Sequence, residues 1–308
     1  MRIFITGAQA FIGKHLHRRL VSDGHEVLAI RRHAAASAVG KSQDAGLRFV
    51  ECDLLDYAGI EREIKNFRPQ VVFHLASLRS NSAGDNDHLV LRTNVEATYE
   101  LAKACAALPE KPRIVFTSAM GCYNYEQPDY LPVDEAHPLR PLDTYGLSKL
   151  LAEQACIFFN DCNDLPLTIL RISGVFGPGK RSGIVFNCLE AARQDGTIKV
   201  ADGRVTRDFV YVGDVVESLI LSLNASIDRR PAIFNIGAGR GASLPEIIQI
   251  VERVTSKRIE VLHLPATQDS EFYFNIGKAE RELGYHPQPL EKRIADFWQC
   301  LSEVTQND

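Results

Sequence analysis

The chain has 308 residues, 45% of them hydrophobic and 24% charged, with a formal net charge of −4. That length supports a full core in one large or two coupled domains, and the charge gives no reason to expect nucleic acid or an acidic membrane surface as a partner. The seven cysteines are an odd number and hold no Cys-x-x-Cys pair, so neither a disulfide framework nor a metal site is expected, and the expected setting is a reducing cytoplasm. No targeting segment is expected, and no apolar run reaches membrane-spanning length.

Arg2 to Thr6 is short, apolar and β-branched, and predicts a buried strand. Gly7 follows at once, and Gly13 opens a periodic run, Lys14 to Ser22, with Leu16, Leu20 and Val21 on one side of a helix. Strand, glycine turn and helix form the phosphate cradle of a dinucleotide-binding unit, because the helix N-terminus offers unpaired N–H groups and partial positive charge. The middle glycine of the usual spacing is Ala10, one methyl larger. His25 to Ile30 predicts a second strand ending in Arg31-Arg32. In such a fold this strand end meets the adenosine ribose, and arginine there suits the 2′-phosphate of NADP. Residues 33–46 read as a surface loop.

A third strand is expected from Leu47 to Cys52, followed by Asp53-Leu54. Asp53 either accepts from the adenine amino group or caps the next helix, residues 57–67. Val71 to Ala76 reads as a buried parallel strand in which His74 is a satisfied core histidine. A long helix is expected over Leu89–Ala107, then a strand over Arg113–Thr117, a helix over Thr144–Phe159 and a strand over Leu167–Ile172. The alternation implies an α/β chain with a doubly wound parallel sheet, a Rossmann architecture. After Arg171 a run of glycines marks departure into a smaller C-terminal lobe. The expected division is residues 1–172 plus a returning segment at about 207–238 for the dinucleotide domain, with 173–206 and 239–308 as the substrate-binding lobe. Within that second half, strands are expected at Phe209–Val212 and Ile233–Ile236, and helices at Leu244–Val254 and Lys278–Leu283.

Tyr145 and Lys149 stand four apart on a predicted helix and so share one face. A nearby ammonium stabilises a phenolate, and such a phenol can give or take a proton at a sugar oxygen near neutral pH. With Thr6-Gly7…Gly13, Asp53-Leu54, His74-Leu75-Ala76-Ser77, Asn94-Val95, Val175-Phe176-Gly177-Pro178-Gly179 and Arg207-Asp208-Phe209-Val210-Tyr211-Val212-Gly213-Asp214 in this order, the chain resembles the extended short-chain dehydrogenase/reductase family, in its nucleotide-sugar epimerase, dehydratase and reductase branch.

The resemblance implies hydride transfer between a nicotinamide cofactor and a sugar carbon, with Tyr145 as acid/base and Lys149 as its modulator. It implies that Gly7, Phe11, Ile12, Gly13, Arg31, Arg32, Asp53, Leu54, Leu75, Ala76, Ser77, Arg79, Asn94, Tyr145, Lys149 and Ile172 line the cofactor. Arg207 would clamp a nucleotide-sugar diphosphate as a two-pronged fork, with Ala119, Ser173 and Glu271 also on the substrate side.

Four departures bear on the reaction. The hydroxyl expected four residues before Tyr123 is Ala119, so either Ser118 or Thr117 takes that role or Tyr145 acts without it. Loss of one such donor costs about 10²–10³ in rate. Met120-Gly121 stands where dehydratases carry an Asp-Glu pair, which argues against dehydration. Glu271 replaces a second phosphate-binding arginine, and Gly174 replaces an asparagine. The leading expectation is an NAD(P)-dependent enzyme acting at C-4 of a nucleotide-linked hexose. Reduction of a 4-keto-6-deoxyhexose with NADP is slightly preferred, and NAD-dependent 4-epimerisation is the alternative. A cofactor-binding sensor or scaffold with impaired catalysis is a further alternative. The partner expected is a small-molecule nucleotide sugar, with no nucleic acid and no membrane, and the chain is expected to form a homodimer through its two long helices.

Overall fold

The computed structural model describes the chain apart from residues 33–45, 80–83, 85, 195, 202–204, 224–230, 266–267 and 306–308. Most of the surface loop expected at 33–46 therefore lies outside the described residues. The chain forms two compact units, Met1–Tyr123 with Leu139–Arg171 and Leu219–Phe234, and Asn124–Pro138 with Ile172–Ser218 and Asn235–Asp308. The segment returning to the first unit is thus shorter than the expected 207–238 and lies within it, and Asn124–Pro138 groups with the second.

The first unit runs β1 (Arg2–Thr6), α1 (Phe11–Ser22), β2 (Glu26–Arg31), β3 (Leu47–Glu51), α2 (Tyr57–Phe67), β4 (Val71–His74), α3 (Asp87–Leu91), α4 (Ala97–Ala106), β5 (Arg113–Ala119), α5 (Thr144–Asn163) and β6 (Leu167–Ile172). A π-helical turn, Arg92–Glu96, links α3 to α4. The chain continues through β7 (Gly174–Phe176), α6 (Ile184–Gln194), β8 (Thr197–Ala201), β9 (Val205–Tyr211), α7 (Val212–Leu221) and β10 (Ala232–Ile236). It closes with β11 (Gly241–Ser243), α8 (Leu244–Thr255), β12 (Glu260–Leu264), β13 (Ser270–Phe272), α9 (Gly277–Leu283) and α10 (Leu290–Thr305).

Seven strands form one parallel sheet in the order β10-β6-β5-β4-β1-β2-β3. β1 lies centrally because Phe4 and its neighbours are apolar on both faces, and Ile3, Phe4 and Ile5 are all buried. Its two neighbours are β2, with Ile3 opposite Val27, and β4, with Thr6 opposite His74. Phe4, Leu28, Ile114 and Phe116 meet Ile60, Ile64, Leu101 and Cys156 from the helices in one core cluster. Helix starts follow local chemistry: Asp56 caps α2 by accepting from the Gly59 N–H, and Asp143 caps α5 by accepting from the Gly146 N–H.

In the second unit β11, β9, β13 and β7 pair into a small sheet, with β9 next to the other three. Its core joins Val185 and Leu189 of α6, Ile247 and Val251 of α8, and Ile294 and Phe297 of α10. The strand expected at Phe209–Val212 begins earlier and ends one residue sooner, since Val212 starts α7. Among the described residues no helix is long and apolar enough to cross a membrane, and no cluster of ligating side chains suits a metal ion. All seven cysteines are free thiols.

Candidate active site

β1 ends at Thr6, and Gly7 turns the chain with φ +76, where a Cβ would lie 2.7 Å from the Ala76 nitrogen. A Cβ on Gly13 would meet the Gly7 carbonyl oxygen at 2.2 Å, so α1 reaches β1 only because position 13 is bare. Ala10 caps α1 and has no side-chain oxygen to satisfy the first N–H groups, which leaves those donors for a ligand. Beside them lies a pocket of about 430 Å³ lined by Gly7, Arg31, Arg32, Asp53, Leu54, Ala76 and Ser77, together with Gln9, Leu78, Leu89 and Thr93. The last four were not singled out from the sequence as cofactor contacts, although Gln9, Leu78 and Thr93 lie within or beside motif segments. A phosphate-seeking helix end, a small-residue turn and polar side chains at the ends of β2 and β3 fit a dinucleotide. Asp53 is not the cap of α2; its Oδ1 accepts from the Leu55 N–H at 2.8 Å, while Asp56 caps the helix.

Phe11 and Ile12 form the first turn of α1, with the Phe11 ring edge-on to His15 at 5.8 Å. Leu75 and Ile172 are buried at or beyond strand ends. Asn94 is held by the π-helical turn and is 2% exposed. Its amide donates to the Leu78 carbonyl and the Ser148 hydroxyl, both at 2.8 Å, and its oxygen accepts from the Leu78 N–H at 2.7 Å. A wider turn here points the amide back at the strand loop and at α5, which a regular helix over Leu89–Ala107 would not provide.

On α5, Lys149 is 2% exposed and its ammonium sits 4.1 Å from the Phe116 ring centroid. Burial brings that ammonium down to about 8. Tyr145 lies one turn earlier, and the Arg79 guanidinium stands 5.2 Å from its ring centroid. The β5 hydroxyls are engaged elsewhere: Thr117 donates to the His74 carbonyl at 3.2 Å, and the Ser118 hydroxyl pairs with the Cys122 thiol at 3.3 Å. These are the two hydroxyls expected to take the role of the one missing at Ala119, the other expectation being that Tyr145 acts without it.

Both nitrogens of His74 are used, Nδ1 with the Thr6 hydroxyl at 2.6 Å and Nε2 with the Thr98 hydroxyl at 2.8 Å. Burial, with the Lys149 charge adding to it, pushes His74 down to about 3. An unfolded histidine takes its proton near 6.5, whereas the folded chain keeps this one neutral. Stability from this residue is therefore complete above about pH 6.5 and is lost as pH falls, by about 1.4 kcal/mol per unit. His74→Gln should lack that slope, so its deficit against the parent in urea melts should narrow by about 2 kcal/mol between pH 6.5 and 4.5. A constant deficit would show that His74 titrates freely.

In the second unit, Arg207 on β9 donates through Nη1 to the Thr206 carbonyl at 2.8 Å and the Ser270 carbonyl at 3.1 Å. These bonds fix one prong. Among the described residues no ion pair with Asp208 or Asp214 engages it: Asp214 pairs with Arg293, and buried Asp208 accepts from the N–H groups of Ala238, Gly239 and Phe274. The Ser173 hydroxyl also donates to Asp208, at 3.1 Å. Burial pushes Asp208 up to about 6 against those donors. Glu271 is exposed on β13, opposite Thr206.

A family model described as the NAD dependent epimerase/dehydratase family matches residues 3–237. The chain belongs to that family. Its epimerase/dehydratase relatives include the UDP-glucose 4-epimerase of Mycolicibacterium smegmatis, 29% identical over 299 residues, with 94% of each chain covered. The fold is similar to that of the UDP-glucose 4-epimerase of Thermotoga maritima solved with UDP-glucose, at TM-score 0.86 and 26% identity over 99% of this chain and 100% of that one. It is also similar to the UDP-glucose 4-epimerase of Thermus thermophilus in complex with NAD, at TM-score 0.82 and 27% identity over 98% and 99% of the two chains. The cofactor named with that family member is NAD, and nothing among these relatives supports the expected preference for NADP. In this epimerase/dehydratase chain the arginine behind that expectation is already engaged, since the Arg31 guanidinium lies 3.4 Å from the Glu51 carboxylate.

Proposed function

We propose that this chain is an NAD-dependent nucleotide-sugar 4-epimerase acting on a UDP-hexose. The observation that carries the reading is the Tyr145–Lys149 pair on one face of α5, with Lys149 buried and charged at neutral pH, in a chain whose named relatives are 4-epimerases. The slight preference for 4-ketoreduction rested on Arg31, Ala119 and Glu271; the relatives support epimerisation better.

Bound NAD would supply the hydride acceptor and donor. Tyr145 would take the proton from the sugar 4-hydroxyl as hydride leaves C-4, and would return it to the same oxygen once the keto sugar has turned over and hydride comes back to the other face of C-4. Lys149 would stabilise the phenolate and hold the nicotinamide ribose, and the Arg79 guanidinium over the phenol ring adds positive charge on its face. The free prong of Arg207 would take a phosphate oxygen of the substrate. The first unit would thus hold cofactor and proton chemistry, and the second the nucleotide sugar.

The test is direct. Purified protein, denatured, should release about one NAD per chain, and without added cofactor it should interconvert UDP-glucose and its 4-epimer. Protein that carries no NAD and instead consumes NADPH with a 4-keto sugar nucleotide would restore the reductase reading.

The expected homodimer belongs to the same proposal. Leu147, Leu151 and Phe158 are 41%, 41% and 51% exposed on α5, and Tyr99 is 40% exposed on α4. Their spacing gives one apolar stripe across two helices, and a second copy of the same stripe would bury it. Leu151→Glu should turn a dimer into a monomer at micromolar concentration by light scattering; an unchanged mass would place the contact elsewhere.

A further inference from the structure

Arg31 and Glu51 are register partners at the carboxyl ends of the adjacent parallel strands β2 and β3. The Arg31 Nη2 lies 3.4 Å from the Glu51 Oε1, with side chains 18% and 40% exposed. The guanidinium carbon also stands 5.6 Å from the Phe49 ring centroid. Arg31 is therefore held along β3 by a carboxylate and an aromatic face. Its Nε is buried and has no hydrogen-bond partner among the described residues. Arg31 lines the 430 Å³ pocket at the strand end where a dinucleotide's adenosine ribose is read.

We propose that Glu51 is a cofactor-specificity residue, which occupies Arg31 and holds a negative charge beside the ribose position, so that the site takes NAD and disfavours NADP. A 2′-phosphate brings close to two negative charges. To be read by Arg31 it must displace the Glu51 carboxylate and then stay close to it. A free 2′-hydroxyl is neutral and a donor, so the same carboxylate does not repel it. The selectivity comes from an acid one strand over from the usual position, acting on the arginine next to it. Arg32 is exposed at the next position, so selection by Glu51 works against a residual pull of that guanidinium toward phosphate.

The inference rests on the reading that the chain binds NAD, and the experiment separates the two. Protein is equilibrated with equal concentrations of NAD and NADP, freed of unbound nucleotide and denatured, and the bound ratio is measured by chromatography. The parent should carry mostly NAD. Glu51→Gln, which keeps shape at a half-exposed site, should move the ratio about tenfold toward NADP, the scale of one like-charge contact. Glu51→Lys should move it further, and adding Arg31→Ala to Glu51→Gln should cancel the gain. If the parent carries NAD and both Glu51 variants leave the ratio unchanged, the specificity role is overturned while the NAD reading stands. If the parent carries neither dinucleotide, or mainly NADP, the NAD reading fails and this inference with it.

Discussion

Tyr145→Phe is expected to lower kcat by about 10³-fold, within the range of general acid–base catalysis, while NAD content and thermal midpoint stay as in the parent. The phenol sits in the first turn of a helix whose start is fixed by the Asp143 cap, 2.6 Å from the Gly146 nitrogen. Removing one oxygen from that ring disturbs neither the cap nor the packing of Lys149 against Phe116. The effect should be large because position 119 of the neighbouring strand is alanine, and the Thr117 and Ser118 hydroxyls are bonded to the His74 carbonyl and the Cys122 thiol. A loss below about tenfold would move the proton transfer to another group. Because burial brings Lys149 down to about 8, its charge is present below that pH and is lost above it. Turnover is accordingly expected to fall on the alkaline side near pH 8, in a profile measured at saturating substrate.

Arg171→Leu is expected to cost about 3–5 kcal/mol of stability, the usual consequence of leaving one buried charge without its partner. Arg171 and Glu153 are 3% and 0% exposed in their side chains and meet at 2.7 Å through Nη2, with Nε adding contacts at 3.1 and 3.2 Å. Burial works against the guanidinium charge, yet the Glu153 carboxylate more than offsets it and holds Arg171 above its ordinary value. A further bond from Nη1 to the Tyr123 hydroxyl at 2.7 Å ties β6 to the segment that follows β5. Against a typical domain stability of about 5–15 kcal/mol this is a large fraction, and denaturant melts should show it as a lower midpoint. Replacing both partners, Glu153→Leu with Arg171→Leu, should recover most of the loss, since no uncompensated charge remains. A double variant as unstable as the single one would mean that packing, and not the orphaned carboxylate, sets the cost. Glu153 lies one turn beyond Lys149 on the face that begins at Tyr145, so the pair also fixes the floor under the proposed proton-transfer site.

Local rules reached a long way into this protein. A continuous apolar run gave β1 its full length, Arg2–Thr6, because both faces of a central parallel strand are buried. Gly7 and Gly13 were legible as a tight turn and a close contact, for only a residue without Cβ survives at those distances. The i, i+4 spacing of Tyr145 and Lys149 was enough by itself to place them on one helical face. The helices Ile184–Gln194 and Leu290–Thr305 and the strands β8 and β12 escaped that reading. Their apolar residues pack into the second unit's core in a pattern that local periodicity does not separate from loop.

What the tertiary structure alone decided are the partners that lie far apart in the chain. The π-helical turn at Arg92–Glu96 is sustained by Asn94 bonding to Leu78 and Ser148, contacts 16 and 54 residues away in sequence. The fate of the Thr117 hydroxyl depends on a carbonyl 43 residues earlier. Two adjacent arginines after a strand suggested a phosphate-reading site, and only the pairing of β2 with β3 put Glu51 beside the first of them. Propensity and spacing act within a turn or two of chain. Charge, by contrast, acts through space, and what lies nearby in space is set by sheet register.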